Sequence, residues 1–180
     1  MPENETPAEK FDRLFTFKKE AFRIETLPKY SVGDKDKRFE TFLAGKIPNQ
    51  NELKDAWCES LKQWTKNDKD VMRVRVVPES RGAYFNFEVE WGYPPNVEAG
   101  EDINVISEDT FIDICGQDTE DIWLLDESKV LQMQYGDGGQ FEDVELTEDG
   151  VGTFIEYKEQ LLEESTDFTD YLKQRRRRKI

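Results

Sequence analysis

Apolar residues in this chain keep two different periods, and the change from one to the other constrains the fold more than any other feature. Around residues 53–64 the spacing is helical: Leu53, Trp57, Leu61 and Trp64 recur at intervals of four, four and three and make one apolar face. Asn67-Asp68 ends that stretch, and from Val71 the spacing drops to two. Met72, Val74 and Val76 alternate with Val71, Arg73, Arg75 and Val77 up to Pro78, the pattern of a strand with its core face on Met72, Val74 and Val76. Asp102–Ile106 reads as another short strand, and Asp121-Ile122-Trp123-Leu124-Leu125-Asp126, apolar between acids, suits a central one. Lys129–Tyr135 alternates and pairs with it as a hairpin across Glu127-Ser128. Gly136-Asp137-Gly138-Gly139 then turns the chain into a further strand; it lacks the Lys-Ser/Thr of a phosphate loop and sits between two alternating segments.

Helix signals frame these strands. Thr6-Pro7-Ala8-Glu9 is a capping box with proline at the first helical position. A modest helix is expected from Lys37 to Ala44, stopped by Gly45. A longer one is expected from Asn49, with Glu52 as its capping partner, and a closing one from Thr153, with Glu156, to Glu164. Ala21–Leu27 reads as short extended structure ended by Pro28. Residues 80–92 fit either period: Phe85, Phe87, Val89 and Trp91 alternate, while Tyr84, Phe87 and Trp91 make a helical stripe, and Pro94-Pro95 would close either element. The expectation is one α+β domain over residues 1–173 with a basic tail at 174–180. Its sheet would be mixed and largely antiparallel, of about five strands (71–77, 102–107, 121–126, 129–135 and 140–146), covered by helices. The Leu53/Trp57/Leu61/Trp64 face would pack on that sheet.

Charge is segregated along the chain. Residues 1–97 hold 17 acids and 17 bases; Glu98 to Asp170 holds 23 acids against Lys129 and Lys158 alone; the last ten residues add six cations. The sum is −15, a field that repels polyanions and attracts cationic partners. Tight independent binding to nucleic acid is therefore not expected. Histidine is absent, which removes the commonest general base and zinc ligand and every Ser-His or Cys-His pair. Cys58 and Cys115 form no CxxC or Cys/His cluster and fit a reducing compartment. The opening Met1-Pro2-Glu3-Asn4-Glu5 has neither the basic nor the apolar region of a secretory signal, and no apolar run approaches the roughly 18 residues of a membrane helix. A cytoplasmic protein without membrane association is expected. The sequence sets no oligomeric state and asks for no cofactor.

Several blocks together resemble a known family. They are Phe22-Arg23-Ile24-Glu25-Thr26, Arg73-Val74-Arg75-Val76-Val77, Tyr84 with Phe87-Glu88, Asn96-Val97-Glu98-Ala99-Gly100-Glu101-Asp102-Ile103, Asp121-Ile122-Trp123-Leu124-Leu125-Asp126 and Phe168-Thr169-Asp170-Tyr171-Leu172. In this order they are similar to mainly actinobacterial proteins grouped as domain of unknown function 6879. The resemblance covers about residues 20–172, favours helix for 80–92, and implies no established activity. It also implies an association with helix-turn-helix regulators, which often accompany these proteins. The chain departs from the pattern in lacking histidine and in its basic tail. The element order is further similar to half of a phospholipase D-like fold. There Thr119, Asp121 and Asp126 would stand where that superfamily carries His, Lys and Asp, which implies a catalytically dead version.

Candidate functional residues follow from these patterns. Glu88, Glu101, Asp121 and Asp126 make a candidate polar site, and with Asp102 they are the carboxylates that would hold Mg²⁺ or Mn²⁺ if the chain hydrolysed phosphoesters. Set against that, acids at strand ends are usually solvated caps. Arg175, Arg176, Arg177, Arg178 and Lys179 are candidate anion contacts, or else a solvated end. Trp57, Trp64 and Trp123 fall on apolar faces and read as core rather than as a base-stacking platform. The expected function is a non-catalytic interaction or regulatory module acting through a protein partner such as a helix-turn-helix regulator. The alternatives are a carboxylate-dependent metal hydrolase and an acidic DNA mimic.

Overall fold

The computed structural model describes residues 4–31 and 34–179, without the side chains of 34–36. Thr6 opens helix α1 (Pro7–Leu14) through a reciprocal box: the Glu9 amide donates to its hydroxyl at 3.3 Å, and its own amide donates to the Glu9 carboxylate at 2.8 Å. Strand β1 (Glu20–Glu25) and helix α2 (Asp34–Leu43) follow. Helix α3 spans Ala56–Lys66. It does not begin at Asn49, where Asn49 and Glu52 form only a turn; Asp55 is the cap, its carboxylate accepting from the Cys58 amide at 3.2 Å. Strand β2 is Asp70–Val77. Residues 83–99 settle as helix: α4 (Ala83–Phe87), a π-helical stretch at Glu88–Gly92, and α5 (Tyr93–Ala99). Pro94-Pro95 lies at the start of α5, directly after the π-helical stretch, instead of closing an element.

Strand β3 (Asp102–Ser107) runs into α6 (Glu108–Cys115), a short helix that periodicity did not announce. Strands β4 (Ile122–Leu125), β5 (Lys129–Tyr135) and β6 (Phe141–Thr147) form the expected meander, with Gly136–Gly139 as the turn between the last two. Helix α7 (Val151–Glu164) starts after Gly150 in a left-handed conformation, so Thr153 and Glu156 are not its capping box. A two-residue strand, β7 (Thr166–Asp167), leads into α8 (Phe168–Arg178). Arg175–Arg178 therefore belong to a helix, Lys179 is its C-cap, and Ile180 of the expected tail lies outside the described residues.

The described strands make one seven-stranded sheet in the order β6-β5-β4-β1-β2-β3-β7. β1, β2 and β3 are parallel neighbours, and the remaining pairs are antiparallel. The sheet is mixed as expected, but it has seven strands instead of about five and is built around a parallel centre instead of being largely antiparallel. The error lies in β1, which carries Arg23 and Glu25 and so looks too polar for the middle strand it is.

Both faces of the sheet are covered, which is the usual condition of parallel strands. One face is wholly apolar: Phe22, Ile24, Val74, Val76, Ile106, Ile122, Leu124 and Val130 pack against Phe111 of α6 and Leu161 of α7. The other carries Ala21, Val71, Trp123, Leu125 and Leu131 beneath α1 and α3, with Trp57 and Trp64 half-buried against them. Leu53 lies before α3 and joins a separate aromatic group with Tyr30, Tyr84, Phe87 and Trp91. Toward the β3 edge, Phe85, Val89, Tyr93, Ile103, Val105 and Phe168 close the layer.

Candidate functional site

Alternation puts Arg23 and Glu25 of β1 on the same face as Arg73 and Arg75 of β2, with Arg23 beside Arg73 and Glu25 beside Arg75. That face is not open to solvent. Arg75 is 0% exposed, and Arg23, Arg73 and Glu25 are buried with it. The sequence reading of β2, with one core face and one outer face, is corrected here: the arginines point into a second interior.

Burial of a guanidinium demands a counter-ion, and four separate places along the chain supply them. Glu88, at the start of the π-helical stretch, accepts from Arg75 Nη2 at 2.8 Å and Nε at 3.2 Å. Glu101, preceding β3, accepts from Arg73 Nε at 2.7 Å and from Trp57 Nε1 at 3.1 Å. Glu25 accepts from Arg73 Nη1 at 2.8 Å and from the Tyr93 hydroxyl at 2.9 Å. Its main-chain carbonyl accepts from Arg75 Nη1 at 3.3 Å. Asp121, just before β4, accepts from Arg23 Nη2 at 3.0 Å, from the Tyr30 hydroxyl, and from both the amide and the hydroxyl of Thr26 at 2.9 and 2.6 Å. Arg23 also donates to the Tyr135 hydroxyl at 2.8 Å.

Three of the four candidate carboxylates thus lie in one buried polar layer: Glu88 and Glu101 are joined through Arg75, Glu25 and Arg73, and Asp121 pairs with Arg23 beside them, Tyr30 standing between Asp121 and Arg75. None is a solvated strand cap. Asp126 is not part of it. It lies at the other end of β4, in a turn where it and Glu127 both have φ near +50°, and accepts from the amides of Lys18 and Lys19 at 2.7 Å and of Glu20 at 3.1 Å. It lines an open cleft of about 760 Å³ with Lys18, Lys19 and Lys129. Asp102 is exposed and accepts from the Asn104 side chain. The carboxylates therefore do not converge on a common point. Among the described residues no three Asp, Glu, Cys or His side chains stand close enough to share a metal ion.

Electrostatics follow from this packing. Burial alone would weaken the charge on Arg73, but Glu101 and Glu25 more than offset it and hold the guanidinium well above its ordinary pKa. Arg75, with Glu88, and Arg23, with Tyr135 and Asp121, are raised against burial in the same way. Burial would raise Glu25, yet Arg73, Arg75 and Arg23 carry it well below the usual carboxylate range. Tyr30 and Tyr93 are pushed well above 10, first by burial and then by the neighbouring carboxylates. Three amides outweigh burial at Asp126 and lower it. Arg23, Arg73, Arg75 and Glu25 are therefore held charged, and Tyr30, Tyr93 and Tyr135 are held neutral.

A family model described as a domain of unknown function (DUF6879) matches residues 9–173. The chain belongs to this family. Comparison with curated proteins gave no match. For this DUF6879 domain the network gives the blocks of resemblance a physical meaning, because Arg23, Glu25, Arg73, Arg75, Glu88, Glu101 and Asp121 all fall within them. Reading the sequence picked out the acids but missed the three arginines, Glu25 and the three tyrosines. The available signal was the apolar flanks of the polar face: Val71 and Val77 bracket Arg73 and Arg75, which solvated positions would not require.

The candidate anion contacts lie elsewhere, on α8. Arg175 is half-buried, donates from Nη2 to Asn86 Oδ1, and stands 3.7 Å from Glu90; Lys179 stands 3.5 Å from the same carboxylate. Arg176, Arg177 and Arg178 are exposed.

Proposed function

We propose that this DUF6879 domain is a non-catalytic cytoplasmic module that binds a protein partner, the cationic face of a DNA-binding regulator being the best match. The observation that carries the reading is the outer surface of the α6/α7 layer. Asp109, Asp113, Glu156, Glu159 and Glu163 are exposed there. Lys158, the one base on these two helices, is turned inward and held by Glu20 and by Glu127 at 2.7 Å. Pairing the base inward leaves the exposed side uniformly negative, which steers and orients a basic partner. The buried carboxylates support the same reading, since Glu88, Glu101 and Asp121 are occupied in holding the fold. No helix among the described residues is long and apolar enough to cross a membrane, and Cys58 and Cys115 are buried free thiols.

The test is capture of partners from the native cell at low salt, followed by titration of the purified partner. Neutralising Asp109, Asp113, Glu156 and Glu159 to their amides is expected to weaken binding at least about tenfold, with strong salt dependence in the parent chain. A partner bound equally well by parent and neutralised chains would remove the acidic face from the argument. Saturable heat on titration with Mn²⁺, lost in Asp126→Asn, would replace the binding role with a metal-dependent one.

A further inference from the structure

On a chain of net charge −15, four cations from two separate elements line one groove. Arg175, Arg178 and Lys179 come from the end of α8, and Arg81 comes from the segment before α4; Asn86, Gln174 and Tyr171 complete a space of about 280 Å³. The arginine run by itself has a simpler explanation, because cations at a helix C-terminus are stabilised by the helix dipole. That explanation does not reach Arg81, which the dipole of α8 did not place. Nor does it reach Tyr171, whose hydroxyl is buried with no hydrogen-bond partner while its ring packs beside Phe85.

Converging like charges are unfavourable unless something neutralises them. Glu90 does this on one side, for Arg175 and Lys179. Neither the Arg81 nor the Arg178 side chain makes an ion pair or hydrogen bond with a described residue. We propose that the groove binds a small phosphate-bearing anion, with Arg81 and Arg178 taking its oxygens and the Tyr171 hydroxyl donating to one of them. Guanidinium forks match phosphate oxygens in pairs, and a buried donor without an acceptor completes the recognition. The surroundings restrict the size of the ligand. Arg81 and Tyr171 also line the adjoining cleft, and there Glu79, Glu108 and Asp109 stand with them. An extended polyanion would run along these acids and be repelled, whereas a small one fits beside them.

The experiment is calorimetric titration of the full chain at low ionic strength with inorganic pyrophosphate and, separately, with ADP. Saturable one-to-one binding is expected, weakening as salt is raised. Arg81→Gln and Arg178→Gln are each expected to lower affinity by about fivefold or more, and Tyr171→Phe, which keeps the ring, by about threefold. Arg177→Gln, outside the groove, should stay within about twofold of the parent. Tighter binding of ADP assigns a nucleotide, and equal affinity assigns the phosphates alone; both support the site. No saturable heat with either probe overturns it. So does an equal loss in Arg177→Gln and Arg178→Gln, which would mean unspecific attraction to the arginine run. This outcome is independent of partner binding, which is tested on other residues.

Discussion

Removing the Glu88 carboxylate should be among the most damaging single changes available to this fold. Arg75 is fully buried and cannot shed its proton, because a guanidinium stays charged. In Glu88→Ala it would keep only the Glu25 carbonyl at 3.3 Å and the faces of Tyr30 and Phe85, each 5.6 Å from its centre. Breaking a buried pair from one side costs about 3–5 kcal/mol. The Glu25 carboxylate already acts on Arg75 across the network, so the lower end, about 3 kcal/mol, is the expected loss. For a chain of this size that corresponds to a drop of roughly 6–12 °C in melting temperature. The converse substitution sharpens the test. Arg75→Met with Glu88→Leu removes both charges at similar volume, and replacing a buried pair by apolar groups is close to neutral. The double variant should therefore be more stable than Glu88→Ala by about 2 kcal/mol or more. Urea unfolding followed by tryptophan fluorescence at pH 7 measures all three chains. A loss under about 1 kcal/mol in the single variant, or a double variant no better than the single, would refute the view that Arg75 depends on Glu88.

The depressed Glu25 gives stability that is present above the unfolded glutamate pKa of about 4.3 and is lost as pH falls from there toward its folded value. The urea midpoint should accordingly fall steeply below about pH 4.5, and less steeply in Glu25→Gln. Tyr30, Tyr93 and Tyr135 have raised values, so stability is full below the unfolded phenol pKa of about 10 and declines above it. Absorbance at about 295 nm should show these three ionising only as the chain unfolds. Asp126→Ala strands three amides at a partly exposed turn and should cost about 1–2 kcal/mol by chemical denaturation, without disturbing the buried network. Gly139 has φ +76°, and an added Cβ would lie 2.3 Å from the Lys29 carbonyl oxygen. Gly139→Ala should therefore cost at least about 2 kcal/mol and weaken amide protection at Ser31, which donates to the Gly139 carbonyl at 3.0 Å.

What the sequence showed clearly was local. The Thr6–Glu9 box, the alternation through β2 and the hairpin from β4 to β5 depend on neighbours a few residues apart, and each appears where expected. The position of β1 and the inner face of β2 depend on partners that are distant. Arg75 meets Glu88 13 residues away, Arg73 meets Glu101 28 away and Glu25 48 away, and Arg23 meets Asp121 98 away. An arginine in a strand looks solvated until its acid is known. Helix α6 escaped notice because eight residues hold barely two turns of stripe. Leu53 kept the helical period with Trp57 while belonging to the preceding turn, because periodicity does not reveal where a cap falls. The patterned blocks of the family did point to the acids, and the structure supplies the missing half of each pair.

The charged network also bears on how the chain assembles. Glu88, Glu101 and Asp121 arrive from three later parts of the chain, and each must reach an arginine on β1 or β2. If β1 slipped by one residue on β2, Arg23 and Glu25 would enter the apolar layer facing α7, and Phe22 and Ile24 would take their place. A shift by two residues keeps the faces but pulls Glu25 off its place beside Arg75. Any incomplete arrangement therefore leaves an ion enclosed without its counter-ion, at a cost comparable with the whole stability of a domain this size. Partly assembled forms are penalised, so unfolding should be cooperative across the parallel centre, with β1, β2 and β3 lost together.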